Sequence, residues 1–82
     1  MFDTLNFKPV REGHWQAKEQ FGKYQLSIVL LPGKTLYEAA IFKDGDFVQL
    51  PGINYDDDVI PGLTKNMVTA IMQKLELIKI AS

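Results

Sequence analysis

Three features of this 82-residue chain have residue types and spacing that could do chemistry: the single histidine His14, the run Asp56-Asp57-Asp58, and Phe42 and Phe47 flanking Asp44-Gly45. As a general base, His14 would need an oriented nucleophile and a carboxylate, and no spacing in the chain supplies them. It reads as a surface histidine at a strand start. Ser27 and Ser82 stand outside any nucleophile-elbow pattern. The six glycines fall at turns and breaks, so none builds a phosphate-binding loop. With no cysteine, thiol catalysis, disulfides and cysteine-based zinc sites are excluded. The expectation is a non-enzymatic chain that uses no metal and no cofactor.

Calcium loops alternate their ligands and close with a later glutamate, whereas Asp56, Asp57 and Asp58 are consecutive. Consecutive side chains converge on one ion only if the backbone winds around it. Two readings of the run stay open. It is a solvated loop tip that also places negative charge near a helix start at Thr64, or it is an acidic patch that engages a basic surface on another protein.

Asp-Gly is the strongest short-range hairpin signal, because a two-residue type I′ turn needs positive φ at both positions. That turn sets Phe42 opposite Phe47 and Lys43 opposite Asp46. A cross-strand aromatic pair contributes about 0.2–1 kcal/mol to a hairpin, which is one account of the two rings. A binding hot spot on an exposed sheet face is the other. A third expectation is cover, from the N-terminal arm with Phe2, Leu5 and Phe7 or from a second copy of the chain.

The elements that would position these residues follow from period-2 alternation. His14–Phe21 and Tyr24–Leu31 are joined by Gly22-Lys23, a tight turn that opposes Trp15 to Leu30, Ala17 to Ile28, Glu19 to Leu26 and Phe21 to Tyr24. A four-residue connection, Pro32–Thr35, then keeps Leu26, Ile28 and Leu30 on the same side as Ile41, Ala39 and Tyr37. The opposite side carries Gln16, Lys18, Gln20, Gln25, Ser27, Phe42 and Phe47, with Val29 among them. One side is dry and the other wet, as in antiparallel sheets. Leu5–Val10, ending near Pro9, suits an edge strand or an arm.

Pro51–Gly62 reads as an irregular acidic loop, broken by Pro-Gly pairs and pinned by Ile53, Tyr55, Val59 and Ile60. Thr64 is an N-cap, and Leu63 with Val68 forms a hydrophobic staple. Val68, Ile71, Met72, Leu75 and Ile78 then recur on one helical face over 65–78. The expected fold is α+β: a single domain of residues 1–82, with a four-stranded antiparallel meander over 14–50, a candidate fifth strand within 1–12, an acidic loop over 51–63, and a C-terminal helix over 64–78 packed on one face.

Composition bounds the partners. A hydrophobic fraction of 46% with 23% charged residues is a globular balance, enough for one modest core. Nine basic against ten acidic residues argue against a nucleic-acid binder that relies on bulk positive charge. Stacking of bases on Phe42 and Phe47 is opposed by the nearby Glu38, Asp44 and Asp46. No basic leader with an apolar run opens the chain, and the longest apolar run, Ile28–Leu31, is far short of a membrane span. The expectation is a cytoplasmic protein-binding module that docks through Phe42 and Phe47 or through Asp56, Asp57 and Asp58, the latter steering it to a basic partner. Its size and layout are those of many short accessory or inhibitor proteins of phages and mobile elements. A self-associating structural subunit and a weak nucleic-acid-binding sheet are the alternatives.

Overall fold

The computed structural model describes residues 1–54 and 56–81. Tyr55, one of the residues expected to pin the acidic loop, and Ser82 lie outside the described residues. The strands are β1 (Lys8–Arg11), β2 (His14–Phe21), β3 (Tyr24–Leu30), β4 (Tyr37–Lys43), β5 (Asp46–Phe47) and β6 (Val59–Leu63), and helix α1 spans Lys65–Ala81. All pairings are antiparallel, in the order β1-β2-β3-β4-β5, with β6 also on β4. The fold is an α+β meander with one C-terminal helix packed against its sheet.

The registers follow the turns. Phe21 opposes Tyr24 and Trp15 opposes Leu30 across β2–β3, while Leu26 opposes Ile41 and Ile28 opposes Ala39 across β3–β4. Asp44 and Gly45 adopt φ values of 53° and 84°, the double left-handed turn that the sequence predicts, and Phe42 faces Phe47. Alternation therefore stacks Ala17, Phe21, Leu26, Ile28, Ala39 and Ile41 on one inner face, all buried.

Helix α1 covers that face with Val68, Ile71, Met72 and Leu75. Its first turn is capped as expected, Met67 N donating to Thr64 Oγ1 at 3.2 Å. It starts next to Leu63 on the β6 side and ends over the β2–β3 turn, where a Cβ on Gly22 would meet the Lys79 side chain. That diagonal leaves the Trp15 corner uncovered by the helix, and Trp15 stays 44% exposed although alternation puts it on the inner side.

The N-terminal arm goes to this same inner side. A 3-10 turn at Phe2–Thr4 is tied to the helix by Phe2 N donating to Thr69 Oγ1 at 3.0 Å. The rings of Phe2, Phe7 and Tyr37 cluster with centroids 5.1–5.7 Å apart. The arm then continues as β1, an edge strand with a bulge between Pro9 and Arg11. It does not lie over Phe42 and Phe47.

The segment 51–63, expected to be loop throughout, is irregular only as far as Asp58. Val59–Leu63 returns to the sheet and pairs with β4, Val59 opposite Ala40, Ile60 opposite Ala39 and Leu63 opposite Tyr37. The meander, expected to run to residue 50, stops short: β5 ends at Phe47, and only Val48 N, donating to Ile41 O at 2.9 Å, prolongs its pairing with β4. Pro61 and Gly62 are tolerated because β6 is an edge strand with a bulge: three residues of β6 span two of β4, and Gly62 takes the bulge with φ 69°.

Candidate docking face of the sheet

The outer face of the sheet positions the aromatic pair. Both strands of the β4–β5 hairpin turn a phenylalanine outward, and the rings sit 4.6 Å apart with planes inclined by 37°. Phe42 is partly shielded by its neighbours, whereas Phe47 is 49% exposed. Next to them lies a shallow depression of about 330 Å³, bounded by Val29 and Leu31 from the β3 side, Ala40 from β4 and Val59 from β6. Its floor holds a satisfied polar group: Ser27 is buried, and its hydroxyl accepts from Gln16 Nε2 at 2.8 Å. No element of the described chain covers this surface, since the helix and the arm both pack on the inner face. The depression is mixed in character, since Glu38 and Gln16 line it together with these apolar side chains.

The acidic run arrives at the rim of the same face. Asp56, Asp57 and Asp58 are all exposed, and Asp58 immediately precedes Val59, whose pairing with Ala40 brings the loop's end beside the depression. Gln49 Nε2 donates to Asp58 Oδ1 at 3.5 Å, a long contact. What holds the loop is Asn54, buried although polar. Its Oδ1 accepts from Leu50 N at 2.8 Å, and its Nδ2 donates to the carbonyls of Val48 and Asp57 at 3.3 Å each. Lys74 Nζ donates to Gly52 O at 2.6 Å, fastening the loop to the helix. Asp56 and Asp57 line a second depression with Ile53, Ile60 and Pro61 at the β6 edge, and Val59 borders both depressions.

The two candidate binding elements, separate in the sequence, line neighbouring depressions that share Val59. Val59 is the residue that joins them, and sequence reasoning gave it only a loop-pinning part because β6 was hidden behind Pro61 and Gly62. Asn54 was missed altogether, with no signal beyond its place in a Gly-rich segment.

His14 lies at the other end of the sheet, opposite Arg11 on β1. Among the described residues, no three His, Asp or Glu side chains gather as metal ligands, and no helix is long and apolar enough to cross a membrane. Compared with known protein families, with curated proteins and with solved structures, the chain matches none of them.

Proposed function

We propose that the chain is a non-enzymatic protein-binding module, acting in the cytoplasm, whose docking surface is the outer face of the sheet with the Asp56–Asp58 loop at its rim. The observation that carries this is the contrast at one hairpin. Ile41 is fully buried under the helix, while Phe42 and Phe47 next to it face outward beside Val59 with no helix or strand of the described residues laid over them. An aromatic pair flanked by small and β-branched side chains supplies desolvation energy, and the adjacent carboxylates supply orientation. Nucleic acid is the poorer partner, because Glu38 lines the same depression and repels phosphate.

Site-specific photo-cross-linking tests this. A photoreactive phenylalanine analogue at position 47 is expected to give a discrete protein adduct, whereas the same analogue at the exposed helix position Ala70 gives none. Absence of an adduct at 47, or equal labelling from both positions, would overturn the assignment.

A further inference from the structure

The β1–β2 side of the outer face holds a recess of a different kind from the one beside the aromatic pair. Asn6, Lys8, Val10, Gln16 and Lys18 line a depression of about 320 Å³ there. Register explains how two lysines come to share it. Lys8 opposes Gln16, and Lys18 lies two residues further along β2, so both stand on the same side of the sheet at diagonal positions. Diagonal neighbours are roughly 7–8 Å apart, within mutual reach for side chains of this length.

Among the described residues nothing neutralises that pair. Neither an aspartate nor a glutamate lines the depression, both lysines are exposed, and neither forms an ion pair. Glu38 shares the row of Lys8, Gln16 and Val29 but stands three strands from Lys8. At ~4.8 Å per strand that is about 14 Å, beyond the screening length of about 8 Å at physiological salt. Gln16, between the lysines, is already committed, its Nε2 donating to Ser27 Oγ at 2.8 Å. Two neutral donors are not. The Asn6 side-chain amide has no partner among the described residues. The Lys18 backbone N–H has none either: alternation from the Phe21–Tyr24 pair turns it away from β3, and β1 begins opposite Gln16, short of it.

We infer that this depression binds a doubly charged tetrahedral oxyanion, a phosphate group either free or as a monoester. Such a group carries about 1.5–2 negative charges at neutral pH and offers three strong acceptor oxygens. Lys8 and Lys18 supply the opposite charge, and Asn6 Nδ2 and the Lys18 N–H supply neutral hydrogen bonds. A single carboxylate cancels only one of the two ammonium charges. Val10, 56% exposed and lining the same depression, offers apolar contact to an ester group. The site is separate from the docking surface proposed above and stands without it.

Amide chemical shifts followed during titration with inorganic phosphate, and separately with phenyl phosphate, test the assignment at an ionic strength held constant with chloride. Saturable shifts centred on Asn6, Lys8, Gln16 and Lys18 are expected. K8Q and K18Q should each weaken binding about threefold, and K8Q/K18Q about tenfold or more, whereas K34Q on the β3–β4 loop leaves it unchanged. All three lysines are exposed, so these substitutions spare the fold, and unchanged core amides verify that. Phenyl phosphate held about threefold tighter than inorganic phosphate, with the gain removed by V10S, identifies an ester; equal affinities identify the free ion. Shifts that fail to saturate, that spread evenly to Lys23, Lys34 and Lys43, or that survive K8Q/K18Q would each overturn the inference.

Discussion

Strand β4 belongs to two surfaces of opposite character. Its inward residues, Ala39 and Ile41, are buried under helix α1. Its outward residues, Ala40 and Phe42, are only half buried, and Phe47 beside them is half exposed. The same alternation serves both, and what differs is cover. One helix and the seven residues before β1 cover most of one face of the six-stranded sheet, and both go to the inner side. The comparison teaches that an apolar side chain on this sheet cannot be assigned to stability from its type alone. Ile41 is sealed into the core, whereas Phe47 stays half exposed on the outer face.

Substitutions should separate the two faces by magnitude. The largest loss is expected from Ile28→Ala, which opens a cavity where β3 meets the core; unfolding free energy measured with denaturant should fall by about 2–5 kcal/mol. Asn54→Ala comes next. It leaves Leu50 N and two carbonyls without their side-chain partner, and a loss of about 1–3 kcal/mol is expected, with faster amide exchange confined to residues 48–58. Removing the helix cap by Thr64→Ala should cost about 1 kcal/mol, read as a lowered unfolding midpoint. Phe47→Thr is expected to be the smallest, at most about 1 kcal/mol, because only a cross-strand ring contact on an open face is lost.

Much of this architecture was legible in the sequence. Gly22-Lys23 and Asp44-Gly45 are turns whose chemistry dictates register, so the pairings of Phe21 with Tyr24 and Phe42 with Phe47 followed directly. Thr64 and the spacing of Val68, Ile71, Met72 and Leu75 marked the helix and its buried face. Strand β6 was not legible, because Pro61 and Gly62 are breakers in a regular strand and become acceptable only at a bulged edge. The side chosen by the N-terminal arm was equally hidden. It depends on Phe2 meeting Tyr37 and Thr69, contacts separated by tens of residues that no local pattern reports. Both Phe42 and Phe47 and the acidic run could be named as candidates, but that Val59 lies between them became visible only with β6.

Photo-cross-linking from position 47, set beside denaturant unfolding of wild type and Phe47→Thr, tests the central claim most directly. The account predicts a discrete protein adduct from position 47 and a loss of at most about 1 kcal/mol in the variant. No adduct, together with a loss of more than about 2 kcal/mol in the variant, would contradict it and would make the Phe42–Phe47 pair a structural clasp of the hairpin.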